Sequence, residues 1–214
     1  MNNQLSIIDN QLIRAVEEAD SSQTLIDAVK DLAEAHIKEA IPILIKVLGY
    51  NNPGAAVAAV DGLVEIGEPA VLKLLETLDG YNYGARAWAI RALAGIGDPR
   101  GLEILLDSAA NDFSFSVRRA AARGLGFIHW EKLSETEINQ AQQRVFQILL
   151  QVSQDPEWVV RYAAVVGLQG LAKVVKVSGQ SWFKDILTGI HKIGDTDTTL
   201  AVRARAQIAI ENLC

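Results

Sequence analysis

The chain has 214 residues, half of them hydrophobic, with 20 basic against 26 acidic side chains and a net charge of −6. At about 150 residues per domain, that length holds one large domain or two small ones, with core enough to need no disulfide or structural metal. The single cysteine, Cys214, excludes an internal disulfide framework, and with only His36, His129 and His191 beside it a usual zinc site cannot be assembled. Acidity of this degree excludes the basic excess of a nucleic-acid binder. No run is expected to reach the ~20 apolar residues of a membrane span, and MNNQLSIIDN lacks a basic-then-apolar signal pattern. The expected class is a soluble intracellular protein without membrane insertion.

Alanine, leucine, isoleucine and valine dominate, and strict apolar–polar alternation is hard to find, so the expected fold class is all-α. In chain order the pattern predicts a helix at about 3–19, a second at about 22–35, then helix pairs near 37–66, 68–97, 99–128, 134–177 and 179–213. EIGEP (65–69) and GIGDP (95–99) mark returns between pairs: glycine ends one helix and proline opens the next. KLSETEINQAQQRV (132–145) lengthens the fourth pair, with Ser134 as N-cap and Glu137 completing a capping box. No Pro/Gly/Ser-rich linker interrupts the chain. The expectation is therefore one repeat domain over 1–214, with 1–36 as N-terminal helices and 37–213 as repeats.

Self-similarity supports that pairing. AAVAAVDGL (55–63), ARAWAIRAL (85–93), VRRAAARGL (117–125), VRYAAVVGL (160–168) and VRARAQIAI (202–210) align, with alanine at the fifth place. Their second places are Ala56, Arg86, Arg118, Arg161 and Arg203, spaced by 30, 32, 43 and 42 residues. Asp112, Asp155 and Asp197 stand six residues before three of the arginines. Places one, five and nine form a stripe at helical spacing, and stacked hairpins bury it where a lone hairpin cannot. This Asp–x5–Arg pattern resembles the HEAT repeat, so an α-solenoid of about five hairpins is expected.

Standard catalytic constellations are absent: the sequence has no P-loop, no Gly-x-Ser-x-Gly and no His-Glu-x-x-His. Arg86, Arg118, Arg161 and Arg203 read as structural, bonded to turn aspartates. Trp88, Arg91, Arg119, Arg123 and Tyr162 fall at other places of the second helices, off the apolar stripe, on the face that lines the inside of a solenoid. Arg91 and Arg123 are 32 residues apart, so adjacent repeats would present them side by side. Tyr81 and Tyr83 precede Trp88, whereas Phe113 and Phe115 read as fillers between repeats. His129 reads as a cap or surface residue, and Cys214 lacks the adjacent base that a nucleophile needs. Arginine pairs beside flat aromatics suit a planar, conjugated ligand bearing carboxylates, such as a linear tetrapyrrole with two propionates.

The segment DGYNYGARAWAIRALAGIGDPRGLEILLDSAANDFSFSVRRAAARGLGFIHW (79–130) closely resembles the F-type subunits of heterodimeric E/F phycocyanobilin lyases, and EWVVRYAAVVGLQGL (157–171) resembles them more weakly. These are HEAT-like solenoids built of phycobilisome-lyase repeats. The resemblance implies a chain that acts with an E-type partner to attach phycocyanobilin, as substrate rather than resident cofactor, to a cysteine of the phycocyanin α subunit. It also implies a cytoplasmic place in phycobilisome biogenesis. Relatives that isomerise the bilin carry a His-Cys motif in the turn matching Tyr81–Tyr83; no cysteine stands there, so isomerisation is not expected. On this reading Arg91, Arg119 and Arg123 anchor propionates, while Trp88, Tyr81, Tyr83 and Tyr162 flank the rings. Asp61, one repeat before Arg91, accepts pyrrole N–H groups. No residue is singled out as catalytic. The alternative reading is a non-catalytic HEAT scaffold for phycobiliprotein assembly or disassembly.

Overall fold

A computed structural model of the chain describes residues 2–78 and 83–214, with the side chains of 2–8 and 83 excepted. Among the described residues there are twelve α-helices, short 3-10 turns and no strand. They group into two compact units, 1–96 and 97–214.

The first unit holds α1 (Asn2–Glu17), α2 (Ser22–Glu34), α3 (Ile41–Val47), α4 (Pro53–Ile66), α5 (Val71–Glu76) and α6 (Tyr83–Ile96). Two N-terminal helices and two pairs were expected over this stretch, and that is the observed order. Ser21 caps α2: its hydroxyl accepts the Thr24 N–H at 3.2 Å, and Thr24 Oγ1 accepts the Ser21 N–H at 3.0 Å. Asn52 caps α4 by accepting the Ala55 N–H at 3.1 Å, while its amide donates to the Ser22 carbonyl at 3.1 Å and so ties the start of α4 to that of α2. The alanines at 55, 56, 58 and 59 are buried. Small side chains let α4 lie close against α2: a Cβ on Gly62 would come within 2.6 Å of the Ala33 Cβ.

The second unit holds α7 (Leu102–Asn111), α8 (Phe115–Gly124), α9 (Glu135–Val152), α10 (Trp158–Val177), α11 (Phe183–Thr196) and α12 (Leu200–Leu213). Three pairs were expected here, and three are seen. Second helices stack on second helices, α8 on α10 and α10 on α12, while α7 packs on α9. The turn after α8 meets α10 backbone to backbone. A side chain on Gly126 would strike Gly167, and one on Gly170 would strike Gly126. The predicted box at α9 is present, with the Ser134 N–H donating to Glu137 at 3.1 Å. Helix α10 corrects one expectation, since its 20 residues are long and apolar enough to cross a membrane by length and composition. Its apolar surface is mostly buried within the protein, which accounts for the composition.

The repeat arginines bond in a direction that spacing did not reveal. Arg118 donates from Nη1 to the carbonyl of Asp112, at 2.9 Å, in its own turn. Its Nε and Nη2 reach the carboxylate of Asp155 in the following pair, at 2.6 and 3.1 Å. Arg161 repeats this, taking the Asp155 carbonyl at 2.9 Å and the Asp197 carboxylate at 2.7 and 3.1 Å. Asp155 thus gives its carbonyl to Arg161, six residues on, and its carboxylate to the preceding Arg118. Each carboxylate also accepts the N–H two residues on, Glu157 at 2.8 Å and Thr199 at 2.7 Å, which sets the next helix start. Arg203 keeps the carbonyl contact, to Asp197 at 2.7 Å, and Arg86 donates to the Leu78 carbonyl at 3.1 Å.

Asp98 makes a separate clamp at the start of this unit. Buried, it accepts Arg100 Nε at 2.8 Å, the Arg100 N–H at 3.0 Å and Lys132 Nζ at 3.0 Å. These donors, Arg100 first, hold its pKa far below the usual carboxylate range. Hydrogen bonding from Arg161 likewise lowers that of Asp197.

Two outcomes follow from these contacts. Arg161→Ala leaves the Asp197 carboxylate without its cation, holding only the Thr199 N–H, and should destabilise the second unit by ~3 kcal/mol, the lower end for breaking a buried pair. That is about 6–12 °C in a thermal melt at this chain length. Because the folded pKa values of Asp98 and Asp197 lie below the unfolded ones, the unfolded chain takes up more protons in acid. Their stabilisation is therefore complete above the unfolded value of about 3.9 and is lost as pH falls through the folded values. Urea midpoints should be flat from about pH 7 to 5 and drop below about pH 4, with a shallower drop in Arg161→Ala; an equally steep drop in that variant would contradict the assignment to Asp197.

Candidate functional site

The residues expected to form a site fall on the second helices of both units. In the first unit, Trp88 and Arg91 are one turn apart on α6, and the guanidinium lies 5.4 Å from the indole centroid. Trp88 is half-buried and Arg91 exposed, so the ring fixes the cation without removing it from solvent. Asp61 is exposed on α4, which packs against α6. Tyr81 lies outside the described residues, and Tyr83 begins α6 with its side chain outside them.

In the second unit, Arg119 and Arg123 are exposed one turn apart on α8. Tyr162 sits on the neighbouring α10, 38% exposed, at the repeat place that Arg119 occupies on α8. Four residues before it, Trp158 is 46% exposed, adding a second flat face to the same helix. Phe113 and Phe115 do not fill gaps between repeats: they are 69% and 49% exposed. They stand at the turn into α8, Phe113 before the helix and Phe115 as its first residue.

Sequence reasoning missed Arg205. This α12 residue lies 6.0 Å from the Tyr162 ring centroid and donates from Nη2 to Gln169 Oε1, while its Nη1 is shielded from solvent and finds no partner among the described residues. Burial holds its pKa below the ordinary arginine value. The signal was present in the alignment: the same repeat place is Ala58 on α4, Trp88 on α6, Ala120 on α8 and Ala163 on α10, so Arg205 brings a charge where the other four segments carry none.

HEAT repeats match residues 73–169. The phycocyanobilin lyase subunit beta of Pseudanabaena tenuis is 54% identical over 95% of this chain and 73% of its own length. The phycocyanin alpha phycocyanobilin lyase CpcF of Synechocystis sp. is 58% identical over 76% of each chain. The chain belongs to the phycocyanobilin lyase beta subunit family. Among solved structures, the complex of CpcE and CpcF of phycocyanin lyase from Nostoc sp. PCC7120 contains a chain 51% identical, with a TM-score of 0.73, covering 80% of this chain and 98% of that one.

Further features of this family member bear on chemistry. A cleft of about 720 Å³ opens in the second unit among first helices α7, α9 and α11, away from the second-helix residues described above. Glu103 and Arg144 pair across it at 2.6 and 2.7 Å, and Phe146 and Trp182 meet there with ring centroids 5.8 Å apart. His129 donates its backbone N–H to the Gly97 carbonyl at 2.8 Å, and its exposed imidazole makes no capping bond to the turn it precedes. Cys214 is exposed at the end of α12. Among the described residues no cluster of His, Cys, Asp and Glu is placed to hold a metal ion.

If Arg91 and Trp88 act as a unit, Arg91→Ala should shift the Trp88 environment while stability changes little. Exposed cation–π contacts are worth about 0.5–1 kcal/mol. A melt within about 2–4 °C of the parent, together with altered indole emission relative to a Trp88→Phe control, is the expected result.

Proposed function

We propose that this chain is the F-type subunit of a bilin lyase that, with an E-type partner, attaches phycocyanobilin through a thioether to a cysteine of the phycocyanin α subunit. The observation that carries this is the 54% identity to a phycocyanobilin lyase beta subunit over 95% of the chain. The solved relative is a complex of CpcE with CpcF, which supports the heterodimer. The bilin is substrate, with no resident cofactor, and the work takes place in the cytoplasm during phycobilisome biogenesis.

The chemistry asks little covalent help of this chain. The acceptor's thiol adds across the bilin's ethylidene double bond: a C–S bond forms, the S–H proton ends on the bilin, and nothing leaves. The subunit contributes one chromophore conformation, one exposed face of the reacting carbon and shelter from side reactions, which is catalysis by positioning. Exposed Arg91, Arg119 and Arg123 suit bidentate bonds to propionates. Trp88, Tyr81, Tyr83 and Tyr162 supply ring faces, and Asp61 accepts from pyrrole N–H groups, stabilising a protonated and more electrophilic bilin. Mutual attraction between Trp88 and Arg91 supports this reading on α6.

The test is in vitro attachment: this chain, the E-type subunit, phycocyanobilin and apo-α-phycocyanin, read by zinc-induced fluorescence on a denaturing gel. A covalent product dependent on both subunits is expected; no product from the complete mixture, with the chain folded, would favour the scaffold. Arg91→Ala and Arg123→Ala should each weaken bilin binding by roughly ten- to hundredfold, the loss of one charge-assisted bond of about 1.5–3 kcal/mol.

A further inference from the structure

The place two residues after the repeat arginine is Trp88 on α6, Ala120 on α8 and Ala163 on α10, of which Ala163 is buried. On α12 it is Arg205. An apolar side chain would fill the same space without penalty. The guanidinium instead sits partly buried, with Nη2 on the amide oxygen of the buried Gln169 and Nη1 cut off from solvent with no acceptor. Among the described residues no carboxylate pairs with it, whereas Arg118, Arg144 and Arg161 each hold one. A shielded cationic N–H without an acceptor is costly to retain. Beside it stands Tyr162, with more than a third of its surface open.

We infer that Arg205 is a carboxylate-binding residue, receiving a propionate of a tetrapyrrole whose ring lies over the exposed Tyr162. This rests on the bilin-lyase reading above and adds a residue to it. As the ligand enters, the Gln169 amide turns away from Nη2, and the carboxylate takes Nη1 and Nη2 together as a fork. The ion pair replaces a single amide contact and supplies the acceptor that Nη1 lacks. Tyr162 holds the repeat place of Arg119, so a planar ligand spanning adjacent second helices has a cation on α8 and another on α12.

The test uses the complex of this chain with the E-type subunit, titrated by absorbance with phycocyanobilin and, separately, with its dimethyl ester, whose propionates carry no charge. Arg205→Met and Arg205→Lys are compared with the parent, each with a thermal melt. The expected result for Arg205→Met is a loss of roughly ten- to hundredfold in affinity for the free acid, no change for the ester and a melting temperature not below the parent's. Arg205→Lys should keep part of the preference for the acid, as a point charge does. Equal binding of the free acid by parent and Arg205→Met would overturn the inference. So would equal losses for acid and ester with a lowered melting temperature in both variants, since that marks a structural clamp. A parent complex that binds neither compound overturns the lyase reading itself.

Discussion

A guanidinium presents two edges, and in the second unit Arg118 and Arg161 each spend them on different neighbours. One edge closes the turn that precedes its own helix, by taking a backbone carbonyl there; the other grips the carboxylate that opens the next pair's second helix. Because that carboxylate also accepts an N–H two residues on, one aspartate joins three things: the arginine before it, its own turn and the start of its own helix. Register between successive pairs is therefore set by charge-assisted hydrogen bonds of defined direction, while apolar burial supplies the driving force without choosing a direction. Glycines 126, 167 and 170 depend on this register, since backbones meeting so closely tolerate no slip along the helix axis.

The same arrangement determines what is left for function. Small residues fill the side of each second helix that faces its neighbours, and the repeat arginine covers the turn. In the first unit α6 leaves Arg91 exposed beside the half-buried Trp88; in the second, α8 leaves Arg119 and Arg123 exposed and α10 leaves Tyr162 exposed. The first helices carry a different surface, a cleft with Phe146 and Trp182 in it and an ion pair across it. In the second unit, first and second helices thus present chemically distinct surfaces.

Helix existence, pairing and ends were legible in the sequence because they rest on local physics. Glycine with positive φ stands at 67 and 97 where the returns were expected, and Ser134 with Glu137 forms the expected box. The all-α class and the buried alanine stripe follow from periodicity, which is a property of neighbours along one helix. Several features of the site were not legible. Phe113 and Phe115 look like core residues by composition, but their exposure depends on whether another helix happens to cover that turn.

What the sequence by itself determined is the set of helices, their repeat period and the side of each helix that carries arginines and aromatics, since these need only spacing along the chain. Tertiary structure alone decided which aspartate each repeat arginine holds. An aspartate 6 residues back and one 37 residues on are both within reach of an arginine, and only packing of successive pairs brings the distant carboxylate to 2.6 Å while turning the near one away. Likewise, Arg205 differs from any surface arginine only because α12 lies against α10, which shuts water out from one of its nitrogens and leaves a charge there to be answered. Contacts between residues far apart in sequence carry no periodic signature, so burial and partner choice at those two arginines belong to the fold.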